Sequence, residues 1–318
     1  MRGSEVVLGL DIGGTTVKTA LVARDGTVVA EGRCATGPEY GGAAVLATVL
    51  EQAAHAVGEA SDMGVTVRAA GIAACGLVDE ERGTVEFAPH IGWQDVPLRR
   101  LAADRLGLPV ALGHDVRAGG LAETRHGAGR GEDVVFFVPL GTGVGGAVLW
   151  HGRPLPGSHW RSAEIGHVVL RPGGDECTCG QRGCLDTFAG GTAIAHRYLQ
   201  QCGPAAGGPA SGVDTAEVVR RAAAGDRVAA RVWEEAIEAL AQALLAGITL
   251  FDPGVLILGG GLSQAGDQLL VPLRRHLERR MAFQVLPRLV RAELGEAAGR
   301  IGAGLLAWDL AGGPAAPG

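Results

Sequence analysis

Several groups of residues in this chain have the types and spacing to do chemistry. The first is Asp11-Ile12-Gly13-Gly14-Thr15-Thr16-Val17-Lys18. Glycines let the backbone come close to a ligand and turn successive N–H groups toward an anion. Thr15 and Thr16 add hydroxyls, Lys18 adds a cation, and Asp11 is placed to hold Mg²⁺ directly or through water. No Gly-Lys-Ser/Thr opens a helix, so this is not a Walker A loop. Alone, the segment also suits a tight turn with a solvated Asp. A second loop, Leu140-Gly141-Thr142-Gly143, shifts that balance, because two Gly/Thr loops at matching places can grip a polyphosphate from opposite sides. A third cluster, Gly259-Gly260-Gly261, would let a nucleobase or ribose lie against the backbone; its plainer use is a strand-to-helix turn.

His167, Cys177, Cys179 and Cys184 form a Cys₃His set suited to tetrahedral Zn²⁺, and four protein ligands close the site, which marks it as structural. The competing use is three buried thiols and a satisfied core histidine. Asp115 follows a short strand and opens a helix. It serves either as a cap for free backbone N–H groups or as a general base for a hydroxyl nucleophile. Glu164 lies three residues before His167, and Asp186 two after Cys184. A metal clip there would tie two carboxylates to one rigid corner, an arrangement that suits sugar hydroxyls; otherwise each is a surface charge.

Short apolar runs and Gly-rich turns must position these groups. Residues 6–10 are an apolar run ending at Asp11, 17–23 and 27–33 are predicted strands, and Arg24-Asp25-Gly26 is a hairpin turn. Helical spacing covers 42–61, 98–106 and 115–126, with strands at 67–74 and 109–112. A strand at 134–139, the second Gly/Thr loop, a strand at 147–150 and a turn at His151-Gly152 then repeat the opening about 130 residues later, which predicts two related halves facing each other. Beyond them, 203–212 is a flexible loop, 216–224, 227–250, 269–280 and 297–310 are helices, and 255–258 and 288–292 are strands. Strands alternating with helices make an α/β protein.

At 318 residues the chain suits two domains of roughly 150 each. A hydrophobic content of 47% fills real cores, and 53 glycines with 15 prolines stay below the low-complexity range. A net charge of −6 without a basic block, and only 4% aromatics, argue against nucleic acid as a partner. The run at 6–10 is too short for a signal peptide. The most apolar helical stretch, 236–251, carries Glu238 and Gln242 and ends at Asp252-Pro253, as a buried helix does. No membrane partner and a cytoplasmic location are therefore expected, and the cysteines there act as thiols or metal ligands. Cys34, Cys75 and Cys202 are scattered and suit small buried positions.

Asp11-Ile-Gly-Gly-Thr-Thr-Val-Lys18, Leu140-Gly-Thr-Gly143, Glu164-Ile-Gly-His167, Cys177-Thr-Cys-Gly-Gln-Arg-Gly-Cys184 and Leu258-Gly-Gly-Gly261 occur in this order. Together, over residues 6–310, they resemble the ROK family (repressors, open reading frames, kinases) of the actin/hexokinase-like ATPase superfamily. Phe251-Asp-Pro253 and Ala88-Pro89-His90-Ile91-Gly92-Trp93 are similar to segments of its bacterial glucokinases. The resemblance implies two ribonuclease H-like α/β domains around a cleft. Residues 1–114 with 296–311 would form the smaller, 115–295 the larger with the zinc site, and 312–318 a disordered tail. ATP phosphates would lie against Gly13, Gly14, Thr15, Thr142 and Gly143, with adenosine near Gly259, Gly260 and Gly261 and Mg²⁺ on Asp11. Asp115 would take the proton from a sugar 6-hydroxyl. Gly76, Glu164, His167 and Asp186 match sugar contacts, and His167 would serve both zinc and sugar through its two ring nitrogens.

His90 and His114 stand where the family carries Asn, and complete the expected sugar side. Arg117 also replaces an Asn, Cys75 a Pro, Asp186 a Glu, and Ser162-Ala163 an Ala-Gly pair. These departures cluster at the sugar. The expected reaction is ATP-dependent phosphorylation of a hexose, foremost glucose, by a homodimer or higher homo-oligomer. The alternatives are an N-acetylhexosamine or other sugar kinase, polyphosphate as donor, or a sugar-binding or regulatory protein without catalysis. The family's repressors carry an N-terminal helix-turn-helix, for which a first strand starting at Val6 leaves no room.

Overall fold

The structure, a computed structural model, describes residues 5–203 and 212–312. The chain opens with β1 (Glu5–Ile12), β2 (Thr16–Val22), β3 (Val28–Ala35), α1 (Gly42–Asp62), β4 (Thr66–Ala74), β5 (Leu77–Asp79), β6 (Thr84–Ala88), β7 (Trp93–Val96), α2 (Leu98–Leu106), β8 (Val110–His114) and α3 (Asp115–His126). It continues through β9 (Val134–Pro139), β10 (Ala147–Trp150), β11 (Arg153–Pro154), α4 (Asp186–Ala189), α5 (Gly191–Cys202), α6 (Thr215–Ala223) and α7 (Arg227–Phe251). Last come β12 (Val255–Gly259), α8 (Asp267–Arg280), β13 (Arg288–Arg291) and α9 (Ala298–Gly312). Two compact units result. The first takes the chain up to Gly127, Arg153–Ser162 and the chain from Glu296 on; the second takes Ala128–Gly152 and Ala163–Gly295.

In the first unit five strands are ordered β3-β2-β1-β4-β8, with β1 antiparallel to β2 and parallel to β4, and β4 parallel to β8. The sheet is covered on both faces, which is why β1 and β4 read as nearly unbroken apolar runs. Strand alternation sorts their side chains. Val6, Leu8, Leu10 and Ile12 join Ala70, Ile72 and Ala74 in the core shared with Val45, Val49 and Ala53 of α1. The opposite face carries Val7 and Ala69, packed with Ala307 and Trp308 of α9, and the small residues Gly9, Gly71 and Ala73.

Those small residues let α9 lie directly on the strands. A Cβ on Gly71 would meet the Ala303 carbonyl oxygen at 1.8 Å, and one on Gly9 the Arg300 carbonyl oxygen at 2.1 Å. Gly302 gives the same closeness to α3, where the Ala118 carbonyl oxygen would stand 1.9 Å from an added Cβ. Ala73, Ala118 and Ala303 therefore share one cluster, and α3 belongs to the first unit. This differs from the boundary expected at 114/115. Arg125 seals the packing with two bonds to Asp309, at 2.9 and 2.8 Å. β11 and the residues after it also pack here, with β11 against α3.

In the second unit, β9 pairs antiparallel with β10 and parallel with β12, and β12 parallel with β13. This is the scheme of β1, β2, β4 and β8, so the duplicated strand–loop–strand pattern is realised as duplicated sheet topology. α7 runs beneath this sheet, burying Ala236, Leu240, Ala243 and Leu244 with Phe136 and Leu256. Asp226 caps its start by accepting from the Val228 and Ala229 N–H groups, at 2.8 and 3.1 Å. Sequence periodicity missed the small sheet β5-β6-β7 and helix α5. Most of the loop expected at 203–212, and the tail beyond Gly312, lie outside the described residues.

Gly71→Ala should destabilise the protein by roughly 1–3 kcal/mol or more, because a backbone carbonyl cannot swing aside as a side chain would. Gly58, exposed in α1 with nothing within 4 Å of an added Cβ, gives the contrast. Gly58→Ala should stabilise by about 0.5–1 kcal/mol. Thermal melts of both variants check this; equal melting temperatures would contradict the close α9 packing.

Candidate active site

Asp11 is the penultimate residue of β1, on the face that meets α9. Its carboxylate lies so close to the first turn of that helix that a Cβ on Gly299 would stand 2.6 Å from it. Burial raises its pKa to about 6, and the charge of Asp115 adds to the rise; Lys18 and Arg300 oppose it. Lys18 sits opposite Asp11 in the β1–β2 register, and its ammonium is bonded to Glu296 at 3.0 Å. The turn between them is closed by Gly13 N–H donating to the Thr16 carbonyl at 3.0 Å, and Thr36 Oγ donates to the Gly13 carbonyl at 2.8 Å. Gly14 has nothing within 4 Å of where a Cβ would be, and Thr15 is exposed, so the tip of the loop is open.

Asp115 begins α3, with His114 as the preceding cap residue in an extended conformation. It does satisfy helix backbone: its Oδ1 accepts the Val116 N–H at 2.7 Å. His114 Nε2 lies 3.2 Å from the same oxygen. The Asp115 backbone N–H also favours the charged carboxylate. About a third of the side-chain surface meets solvent, at 32%, yet surrounding protein strips enough hydration to raise its pKa to about 6, against the pull of the Val116 N–H and the Arg117 charge. Cys75 lies within the field of this carboxylate. Burial first, and then Asp115, push its thiol to about 12, so it stays neutral.

Gly76 takes φ +93°, and an added Cβ would meet the Phe87 carbonyl oxygen at 2.4 Å. Here a glycine is required by both conformation and space. His90 is exposed on a single 3₁₀ turn, Pro89–Ile91, anchored by the buried Ile91.

In the second unit, Gly141 N–H donates to the Gly143 carbonyl at 2.9 Å, which curls the loop around an exposed Thr142. Asp186 fastens this loop, because its Oδ1 accepts the Val144 N–H at 2.8 Å and crowds Gly143. Burial raises the Asp186 pKa, and the Val144 bond and His167 moderate the rise. Gly166, between Glu164 and His167, packs on the Val144 carbonyl, where a Cβ would come within 2.1 Å. The Glu-x-Gly-His motif is thus pressed against the same loop.

A cavity of about 790 Å³ opens from Thr142, with Thr192, Asp214, Thr215, Gly261 and Gln264 among its walls. That volume suits a small-molecule ligand. Gly261 faces it, whereas Gly260 packs against Leu140 and Gly259 against the Phe137 ring, with the Gly259 carbonyl accepting the Leu140 N–H at 2.9 Å. Sequence reasoning missed Thr192, Asp214, Thr215 and Gln264. The Gly190-Gly191-Thr192 run was the available signal.

His167, Cys177, Cys179 and Cys184 bring their ligand atoms within 4.8 Å of one another. His167 Nδ1 is 3.6 Å from Cys177 Sγ, and Cys179 Sγ is 3.7 Å from Cys184 Sγ. A tetrahedral Zn²⁺ with metal–sulfur bonds of ~2.3 Å places ligand atoms roughly 3.5–3.8 Å apart, so the four residues fit the ion. With Nδ1 facing the thiolates, Nε2 remains available on the other side of the ring.

The sequence model of the ROK family matches residues 7–309. A glucokinase of Thermotoga maritima is 36% identical over 96% of this chain and 98% of its own length. A ROK family glucokinase of Streptomyces griseus, solved in complex with glucose and AMPPNP, is 33% identical, with a TM-score of 0.81 over 96% of this chain and 99% of that one. A ROK hexokinase of Thermus thermophilus is 36% identical, with a TM-score of 0.80 over 95% and 98%. With these neighbours the fold is the two-domain actin/hexokinase-like ATPase fold. The chain belongs to the ROK family.

Proposed function

We propose that this protein transfers the γ-phosphoryl group of ATP to the 6-hydroxyl of glucose. The observation that carries this is Asp115 at the start of α3, a carboxylate whose Oδ1 is anchored by the Val116 N–H, with His114 Nε2 3.2 Å from the same oxygen and about a third of its side chain open to solvent. Such a group is anchored through one oxygen and can take a proton on the other. Glucose and an ATP analogue are the ligands bound by the Streptomyces griseus relative. The cavity beyond Thr142 favours a nucleotide over polyphosphate, since a phosphate chain has no use for walls reaching Asp214 and Gln264.

In this mechanism Asp115 Oδ2 accepts the hydroxyl proton as the sugar oxygen bonds to the γ-phosphorus, and the bond from that phosphorus to the ADP oxygen breaks. Positioning and electrostatics supply most of the acceleration in phosphoryl transfer. The Gly13-Gly14-Thr15 loop and Thr142 with Gly143 would offer hydroxyl and backbone donors to the phosphates, Gly13 acting as a small turn residue because its own N–H is taken by Thr16; Lys18 would add a cation, and Gly261 would lie by the nucleoside with Gly259 and Gly260 behind it. Asp11 would hold Mg²⁺, which spreads the phosphate charge when bound. Gly76, His90, His114, Glu164, His167 and Asp186 would contact the sugar. Zn²⁺ on His167, Cys177, Cys179 and Cys184 would fix the corner carrying Glu164 and Asp186, leaving His167 Nε2 for a hydroxyl. The enzyme would work in the cytoplasm, where ATP is made and thiols stay reduced, as a homo-oligomer feeding sugar breakdown. All six cysteines are free, and no described helix is long and apolar enough to cross a membrane.

Asp115→Asn should lower kcat by ~10²–10⁴-fold, the usual worth of a general base, while glucose binding by calorimetry persists. Near-normal turnover would remove Asp115 from that role. The pH profile follows from the raised carboxylate pKa values. The base works only when ionised, so kcat/KM should fall as pH drops through about 6. The slope should lie between one and two, because Asp11 titrates in the same range. Initial rates corrected for nucleotide protonation test this, and a profile flat to pH 5 would contradict it. Chelation with verified zinc loss should lower the melting temperature together with activity, and unchanged melting would exclude a structural ion.

A further inference from the structure

We propose that Arg117, braced by Glu80, is a positioning residue that fixes two chain segments at once: the His114–Asp115 corner and the turn at Trp160 that leads into Glu164. This rests on Asp115 as the base. Arg117 is almost fully buried, with 3% of its side chain exposed, and Glu80 has 18%. Glu80 Oε1 is the hub. It accepts Arg117 Nε at 2.8 Å and the His114 N–H at 3.0 Å, and Arg117 Nη2 lies 2.7 Å away as a charge contact. One carboxylate oxygen thus ties the backbone just before Asp115 to the side chain two residues after it. Both ends of the corner are held, which sets the direction in which Asp115 projects.

The other arm of the guanidinium reaches elsewhere. Arg117 Nη1 donates to the Trp160 carbonyl at 3.0 Å. Trp160 takes φ +58°, and Ala163 takes φ +61°. Left-handed backbone is unfavourable for such residues and persists only where neighbours impose it. The Arg117 bond is one such constraint; Arg161 bonded to Glu86 at 3.1 Å is another. Directly after this strained turn the chain runs into Glu164-Ile165-Gly166-His167. A single fork therefore sets both the base and the approach to the sugar-contact motif, and a point charge on a flexible stem cannot do both.

The fork gives the two functions separable signatures. Arg117→Lys keeps a cation beside Glu80 but cannot span to Trp160. It should leave kcat within about threefold of the parent while KM for glucose rises at least about fivefold. Arg117→Met removes both ties, so kcat should fall at least about tenfold and KM rise as well, with KM for ATP unchanged. Glu80→Gln keeps the acceptor and should change kcat less than Glu80→Ala. In Glu80→Ala with Arg117→Met, the losses in kcat should be far from additive. The full chain is assayed with glucose and ATP, with melting curves to show that each variant is folded. Folded Arg117→Met with parental kcat and KM would overturn the proposal. If that variant does not fold, Arg117→Lys decides: an unchanged glucose KM overturns it equally. Asp115→Asn assayed in parallel separates the two readings. High turnover there removes the base itself, whereas an inactive Asp115→Asn beside parental Arg117 variants removes only the positioning role.

Discussion

Two carboxylates share one side of the first sheet, and the charge of one presses on the other. Asp115 raises the proton affinity of Asp11, and both lose hydration to the protein around them. Such a pair is stable only where compensating groups surround it. Val116 N–H and Arg117 attend Asp115, and Lys18 and Arg300 attend Asp11. A divalent cation on Asp11 would complete the balance. The packing of α9 on glycine-bearing strands makes the arrangement possible. Gly9, Gly71, Gly299 and Gly302 together draw α9 close to β1, β4 and α3, which carry or adjoin the two acids.

The two units use one strand scheme for different ends. In the first, the loop after β1 keeps an open tip at Gly14, and its flanking strand supplies an acid. In the second, the matching loop after β9 is fastened from below by Asp186 and pressed on by Gly166, and its flanking elements enclose a cavity. The strand scheme is shared, and the side chains set the two loops apart. The Cys₃His corner lies within the second unit, next in sequence to the very residues that touch this loop. A metal there would hold the loop and the Glu164–His167 segment as one piece.

Much of this was legible in the residues. β1 and β4 are apolar on both faces, β12 is a five-residue buried run, and α7 carries a long apolar stripe, so their types followed from pattern. The clustering of the Cys₃His set was legible because it is local to Cys177–Cys184 and one nearby histidine. What escaped was long-range or weakly patterned. β5 to β7 are short strands with exposed positions, and α5 hides behind two glycines. The membership of α3 depends on Gly302 meeting Ala118, a contact 184 positions apart that periodicity cannot reveal. Arg117 looked like a departure from a family pattern, and its partner Glu80, 37 residues upstream, gave no sign of the pairing.

The most direct test is a crystal structure of the full chain with glucose, Mg²⁺ and a non-hydrolysable ATP analogue. The account predicts Asp115 Oδ2 within hydrogen-bond reach of the sugar 6-hydroxyl, about 2.6–3.2 Å, with that hydroxyl facing the γ-phosphate. A complex in which both ligands are ordered and Asp115 Oδ2 lies beyond direct or single-water reach of the hydroxyl would contradict it.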